Sequence, residues 1–221
     1  MARVVITGGN RGIGLQLARL YAATGHDVVI GARQPPPVAV PQAGFAALDV
    51  ADGASIERFA AALGAGPVDI LINNAGIIGP ARQSALDMDF DGFLETLVVN
   101  TLGPLRVTQA LLPALRRSAG AKLAIISSQM GSMSAARSGH VAYRASKAAV
   151  NKVGQCLAAD LAGEGVAIAM IHPGWVRTDM GGPGADIAPE ESAEGIMRVI
   201  DALSPASSGR FWNYDGGEMA W

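Results

Sequence analysis

Tyr143 and Lys147 close the run Tyr143-Arg144-Ala145-Ser146-Lys147. In a helix, residues four apart share a face one turn from each other, so this spacing sets a phenol beside an amine. The chemistry of such a pair is specific. A free tyrosine, with a pKa of about 10, is too weak an acid for proton transfer at neutral pH. A nearby ammonium favours the phenolate and is expected to lower that value, giving a general acid–base. Ser128 follows an apolar run at 122–127 and offers a hydroxyl that would hydrogen-bond a substrate oxygen as charge develops on it. Ser127 and Ser132 are rivals for this part, and Ser127 is expected to point into the sheet.

A second constellation lies at the start of the chain. Thr7-Gly8-Gly9-Asn10-Arg11-Gly12-Ile13-Gly14 joins an apolar run to a stretch with helical periodicity. Residues without Cβ let a phosphate approach the backbone. The unpaired N–H groups and positive dipole end of the following helix then receive it. A Gly-rich turn alone also serves as a tight strand–helix connection. Between a strand and an amphipathic helix it reads as a dinucleotide site.

Both constellations need a scaffold, and the periodicity supplies one. Strands are predicted at Arg3–Thr7, Asp27–Gly31, Gly44–Leu48, Val68–Ile72, Lys122–Ser127, Val166–Ile171 and Phe211–Tyr214. Helices are predicted at Gly12–Thr24, Ala54–Leu63, Asp87–Ser118, Val141–Ala162 and Pro189–Leu203. Alternating strands and helices imply an α/β fold, a Rossmann-type doubly wound parallel sheet of about seven strands, as a single domain over residues 1–221. The alternation breaks between Arg33 and Phe45, where Pro35-Pro36-Pro37 and Pro41 leave no room for a crossover helix and predict a stiff extended loop.

Composition agrees with this scaffold. Half of the 221 residues are hydrophobic and only 16% are charged, enough to bury a large core. The net charge of −2 is dispersed, with no basic run to suggest nucleic acid or an anionic membrane. No apolar span is long enough to cross a bilayer. The lone Cys156 cannot form an internal disulfide, which fits a cytoplasmic protein, and it has no partner motif for nucleophilic work. His26, His140 and His172 are scattered singly, so no metal is expected.

The motifs occur in an order that resembles the short-chain dehydrogenase/reductase family. Thr-Gly-x-x-x-Gly-x-Gly at 7–14, Asn73-Asn74-Ala75-Gly76, Tyr143-x-x-x-Lys147 and Pro173-Gly174-Trp175-Val176-Arg177-Thr178 all match, and the resemblance spans essentially the whole chain. The stretches at 127–132, 142–147 and 172–180, with Phe211-Trp212-Asn213-Tyr214-Asp215-Gly216, look most like the C-factor- and sniffer-like carbonyl reductases of that family. The resemblance implies a reversible hydride transfer between a nicotinamide dinucleotide and a small carbonyl compound or its alcohol.

It also implies roles. Gly8, Asn10, Arg11, Gly12, Ile13 and Gly14 would hold the cofactor at the first turn, and Asn74, Ala75 and Gly76, with Asn73, at the end of the fourth strand. Asn73 is equally read as a hydrogen bond inside the sheet. Asp49 resembles the family's adenine-contacting Asp, with Val50 beside it, although a helix N-terminal residue is an equal reading for Asp49. Pro173, Gly174, Val176 and Thr178 would meet the nicotinamide, Val176 under the ring and Thr178 on the carboxamide. Tyr143 and Lys147 would touch the cofactor as well as act, with Ser128 and Asn100 completing the catalytic set. Ser128 stands fifteen residues before Tyr143, two more than the family usually has. The resemblance gives the Asn100 carbonyl a relay water. Pro104, four residues on, has no N–H to bond that carbonyl and should bend the predicted helix there.

The second strand decides between dinucleotides. It ends Ile30-Gly31-Ala32-Arg33, without the acid that would bind a ribose 2′-OH and repel a 2′-phosphate. Arg33 and Arg11 match phosphate in charge and geometry, so NADP(H) is expected over NAD(H). The short segment from Met180 to Ala188 predicts an open site, with Met130, Met133, Trp175 and Met180 as lining or as core. A homodimer through the helices at 87–118 and 141–162 is implied by the resemblance. Two other readings stand. One is a catalytically weak, dinucleotide-sensing signalling protein of C-factor type. The other is an epimerase or dehydratase of related fold, which would usually carry a different Gly spacing and a larger substrate region.

Overall fold

The computed structural model describes residues 1–134 and 136–221. Seven parallel strands form one sheet in the order β3-β2-β1-β4-β7-β8-β9. They are β1 (Arg3–Thr7), β2 (Asp27–Ala32), β3 (Ala43–Ala47), β4 (Ile70–Asn73), β7 (Lys122–Ile126), β8 (Ala167–His172) and β9 (Arg210–Asn213). A two-strand antiparallel hairpin, β5 (Gln83–Ser84) and β6 (Asp87–Met88), stands apart. The helices are α1 (Gly12–Ala23), α2 (Gly53–Leu63), α3 (Phe90–Leu97), α4 (Gly103–Leu115), α5 (Val141–Asp160) and α6 (Pro189–Ala202).

Period-two alternation sorts the strand residues onto two cores. Val4 and Ile6 of β1 pack with Val28, Ile30, Ile72 and Ile171 against Leu17 and Tyr21 of α1 and Ile196 and Ile200 of α6. Val5, one residue out of phase, joins Leu71, Leu123, Ile125 and Met170 against Phe59 of α2, Leu111 of α4 and Val150 of α5. A sheet buried on both faces explains why the strands read as continuous apolar runs. Gly154 of α5 is demanded by this layering: a Cβ there would come within 2.1 Å of the Met170 sulfur.

The strands are where the sequence predicts them, with ends shifted by one or two residues. β4 begins at Ile70 and runs through Asn73, β3 ends before Leu48, and β9 starts at Arg210. No helix fills the Pro-rich connection between β2 and β3.

The single helix expected over Asp87–Ser118 is corrected. Asp87 and Met88 belong to the hairpin, and α3 and α4 are separated by a π-helical turn over Val98–Leu102. The Gly103 N–H bonds the Val98 carbonyl five residues back. Gly103-Pro104 is the cause: Pro104 lacks the N–H that would continue the α pattern, and the chain widens one turn before restarting with the proline at the head of α4. Gly103 also lets that turn lie on Val50, whose Cβ would be 3.1 Å from any Cβ at 103.

Candidate active site

The Gly-rich turn, Asn74–Gly76, Ser128 and Pro173–Thr178 follow the carboxyl ends of β1, β4, β7 and β8, on the edge where the strand order reverses between β1 and β4. At that crevice Gly8 and Gly14 pack against the end of β4. A Cβ on Gly8 would be 2.9 Å from the Ala75 backbone, and one on Gly14 would be 2.4 Å from Asn74 Nδ2. Thr7 Oγ1 accepts the N–H groups of Asn74 and Ala75, both at 3.0 Å. Asn74 Nδ2 returns bonds to the carbonyls of Thr7 and Gly8 at 3.0 and 3.1 Å. The Gly-rich turn and the Asn-Asn-Ala-Gly segment are therefore one locked unit.

The residues fit a dinucleotide phosphate. Arg11 is the N-cap of α1 in extended backbone, and no side chain caps the helix, so its first-turn N–H groups face the crevice uncapped by the protein. Asn10, Gly12 and Ile13 are half-buried beside them. Arg33 is exposed at the end of β2, with no carboxylate partner among the described residues. Arg11 is engaged: its guanidinium pairs with Asp179 at 3.0 Å, with both side chains mostly exposed. This pair bridges the Gly-rich turn and the segment after β8, where Thr178 sits 3.3 Å from a Cβ on Gly12.

The acid–base cluster lies one strand further along. α5 places Tyr143 and Lys147 on its buried face, as the i, i+4 spacing requires. The Lys147 amine donates to the Ile126 carbonyl at 2.8 Å and lies 5.7 Å from the centre of the Tyr143 ring. Ser128, buried after β7, receives the Met130 N–H at 3.1 Å, capping a short 3₁₀ turn, and its hydroxyl favours the ionised form of the Tyr143 phenol. Its rivals are elsewhere: Ser127 donates to Asn151 Oδ1, and Ser132 shares a hydrogen bond with Ser134 at 2.8 Å. Gly131 presses the turn onto α5, since a Cβ there would be 2.7 Å from the Lys147 carbonyl carbon.

The electrostatics correct one expectation. The phenol of Tyr143 is pushed up to about 12, not down, because burial dominates and the Ser128 hydroxyl only partly offsets it. The same burial lowers Lys147 to about 8.

Asn100 sits in the π-helical turn. Its side chain accepts the Ile77 N–H at 2.9 Å and donates to the Ile77 carbonyl at 2.8 Å and to Ser146 Oγ at 3.0 Å. Ser146 in turn donates to the Tyr143 carbonyl at 2.8 Å. Asn100 thus ties the segment after β4 to the helix that carries the phenol. Gly76 lies between them, with a Cβ site 3.2 Å from Asn100 Oδ1 and 3.6 Å from Lys147 Nζ.

Asn73 is buried, its amide donating to Thr108 at 3.1 Å, which matches the reading of a hydrogen bond inside the sheet. Asp49 is half-buried and turns one oxygen onto the Ala51 N–H at 2.9 Å, while the helix cap expected of it is supplied by Asp52. Val50 is core, and Val176 is buried by a bridge to Ile187. The Pro173 carbonyl accepts the Ser192 hydroxyl at 2.6 Å, and a Cβ on Gly174 would strike Ile187 at 2.5 Å. Trp175, Met133 and Met180 are exposed, and Met130 is half-buried.

One residue escapes sequence reasoning. Gln83, in β5, is buried, and its amide accepts the Tyr143 N–H at 3.2 Å while donating to the Ile78 carbonyl at 3.0 Å. It acts as the cap that α5 otherwise lacks, because the N-cap His140 is left-handed (φ 51°) and makes no side-chain cap. Nothing in the local pattern of Gln83 signals a partner sixty residues away.

These features define a class. The family model for short chain dehydrogenases matches residues 2–186, and the chain belongs to that family. Among its relatives, C-signal of Myxococcus xanthus is 48% identical over 168 residues, which is 75% of this chain and all of that one. The 1-hydroxy-2-glutathionyl-2-methyl-3-butene dehydrogenase of a Rhodococcus strain is 36% identical, with both chains covered in full. Among solved structures, the NADPH-bound carbonyl reductase from chicken fatty liver aligns with a TM-score of 0.92 at 32% identity, covering 100% of this chain and 99% of that one. A carbonyl reductase of Pseudomonas aeruginosa in complex with NADP aligns at 0.83 and 33% identity, with full coverage of both chains. The chain is therefore an oxidoreductase-family protein with the short-chain dehydrogenase fold. No helix among the described residues is long and apolar enough to cross a membrane.

Proposed function

We propose that this protein is an NADP(H)-dependent carbonyl reductase that interconverts a small aldehyde or ketone and its alcohol, with Tyr143 as the proton donor and acceptor. The observation that carries the reading is the buried meeting of three groups: the Tyr143 phenol, the Ser128 hydroxyl that favours its ionised form, and the Lys147 amine 5.7 Å from its ring. The dinucleotide supplies the hydride when bound, held by the Gly8–Gly14 turn, the head of α1, Arg33, the Asn74–Gly76 segment and the Pro173–Thr178 loop.

Burial keeps Tyr143 protonated at neutral pH, which suits the reductive direction. An alkoxide forming on the substrate is a much stronger base than a phenolate and takes the proton. Ser128 donates to the same oxygen and stabilises its charge. The Lys147 ammonium, fixed by the Ile126 carbonyl, stabilises the phenolate left behind. Asn100 is held by its side chain, which leaves its main-chain carbonyl, in a turn where Pro104 has no N–H to offer, as the proposed seat of a relay water. Asp179 would release Arg11 to a 2′-phosphate or pyrophosphate, a stronger partner than one exposed carboxylate.

The reading includes a homodimer in the cytoplasm. Phe90, Leu94 and Leu102 are 76%, 65% and 39% exposed along α3 and the π turn, an apolar face that a second copy would cover. The likeness to C-signal favours one other reading, a dinucleotide-sensing signalling protein. One experiment separates them: NADPH oxidation with a panel of small aldehydes, ketones and diketones, run beside NADH. Turnover that is preferential for NADPH and lost in Tyr143→Phe supports the reductase. NADPH binding without turnover of any panel member supports the sensor, and a strong NADH preference refutes the assignment of Arg33.

A further inference from the structure

Two side chains of the π-helical turn hydrogen-bond α5, and both reach the same residue. Asn100 Nδ2 donates to the Ser146 hydroxyl at 3.0 Å, and Thr101 Oγ1 donates to the Ser146 main-chain carbonyl at 2.9 Å. Ser146 is fully buried and immediately precedes Lys147. Its hydroxyl in turn donates to the carbonyl of Tyr143, three residues back, at 2.8 Å. One residue thus touches both the turn that carries Asn100 and the stretch of α5 that carries Tyr143 and Lys147.

The sense of these bonds is fixed by chemistry. Asn100 Oδ1 accepts the Ile77 N–H at 2.9 Å, so the other amide atom is the nitrogen, which only donates. One of its protons goes to the Ile77 carbonyl at 2.8 Å and the other to Ser146. The Ser146 oxygen must therefore accept, and its single proton is left for the Tyr143 carbonyl. The chain Ile77–Asn100–Ser146–Tyr143 runs in one direction, and the hydroxyl has no freedom to turn. A buried amide N–H without a partner is costly, so loss of this hydroxyl would make the Asn100 amide and its turn rearrange. Such a shift would be felt at the site, because a Cβ on Gly76 would already lie 3.2 Å from Asn100 Oδ1 and 3.6 Å from Lys147 Nζ.

We infer that Ser146 is a positioning residue for the reaction: it holds the Asn100 main-chain carbonyl in register with Tyr143 and Lys147, so that a proton passes between the relay water and the phenol. Ser146 acts through Asn100 and Tyr143 and takes no part in making or breaking bonds. The inference rests on the carbonyl reductase reading and adds to it a residue outside the set of Asn100, Ser128, Tyr143 and Lys147. The protein contains its own control. Asn73 Nδ2 donates to Thr108 Oγ1 at 3.1 Å, and Thr108 donates to the Pro104 carbonyl at 2.7 Å, the same buried amide–hydroxyl–carbonyl chain without the phenol.

Natural protein, Ser146→Ala and Thr108→Val are compared in urea unfolding, NADPH binding and turnover of the best carbonyl compound of the panel, in water and in deuterium oxide. Both variants should lose stability to a similar degree, since each leaves one buried amide N–H unpaired. Ser146→Ala should lower kcat by about tenfold, with KM for the carbonyl and Kd for NADPH changed by less than about twofold. Its solvent isotope effect on kcat should rise, because proton delivery becomes the slow step. Thr108→Val should keep the natural kcat and isotope effect. Ser146→Cys serves where the alanine variant does not fold: a thiol donates but accepts poorly from the Asn100 amide, so the same changes should appear in smaller degree. An unchanged kcat and isotope effect in the Ser146 variants, equal kcat losses in Ser146→Ala and Thr108→Val, or a loss confined to KM overturns the positioning role and leaves the reductase reading intact. A natural protein that binds NADPH and reduces no carbonyl removes the reading and this role with it.

Discussion

At the scale of residues, Lys147 concentrates the conflict between stability and chemistry. Its amine is buried with one protein partner, the Ile126 carbonyl, and its pKa falls from 10.5 to about 8. The unfolded chain therefore binds the proton more tightly than the folded one. Natural protein should gain stability as pH rises from about 8 towards 10, because the folded state releases that proton first. Lys147→Met should lose this slope and, without cofactor, be more stable at pH 7 by about 2 kcal/mol, the ammonium's burial cost less the lost hydrogen bond. Its reductase kcat should fall by at least about a hundredfold. Urea unfolding at pH 7 and 9 tests the first half. A Lys147→Met protein less stable than the natural chain at both values would show that the amine is stabilised in the fold, and the account of the buried ammonium would fail.

At the scale of elements, the position of the phenol depends on how α5 begins. Gly139 and His140 are both left-handed (φ 74° and 51°), so the chain enters the helix by a sharp turn with no N-terminal side-chain cap. Gln83 reaches from the hairpin to take the Tyr143 N–H, and Gly131 lets the Ser128 turn lie flat on the same helix. Gln83→Leu should cost about 1 kcal/mol of stability, as the loss of a cap does, and lower kcat more than it changes KM. Gln83→Glu keeps the acceptor and should fall between the two. Kinetics that order the three proteins differently, or a loss confined to KM, would exclude this positioning role.

At the scale of the whole molecule, the reversal of strand order between β1 and β4 opens the crevice, and helices pack on both faces of the sheet around it. The same architecture leaves Phe90 and Leu94 in solvent on the flank formed by α3. Light scattering at micromolar concentration should report twice the mass of one chain. A Phe90→Glu/Leu94→Glu double variant should report a single chain with its fold intact by circular dichroism, since neither side chain belongs to the core. A natural protein that is monomeric under those conditions would leave this face without the partner proposed for it.

Much of this protein was readable from its residues. The strand–helix alternation, the Gly-rich turn after β1 and the Tyr143–Lys147 spacing are local signals, each contained within one element or the junction of two, and each recurs in the structure where the sequence indicates. The helix over 87–118 was misjudged because periodicity does not register a π turn, even where Gly103-Pro104 announces a disturbance. Asn73 had two equal readings in the sequence; adjacent residues of a strand end face opposite ways, and packing sends its side chain to Thr108 and that of Asn74 to Thr7. The direction of the Tyr143 shift, the part played by Gln83, the ion pair between Arg11 and Asp179 and the bonds of Ser146 to Asn100 and Thr101 were all decided by tertiary structure. Burial and long-range hydrogen bonds are properties of where the chain returns in space, and no local pattern of residues encodes them.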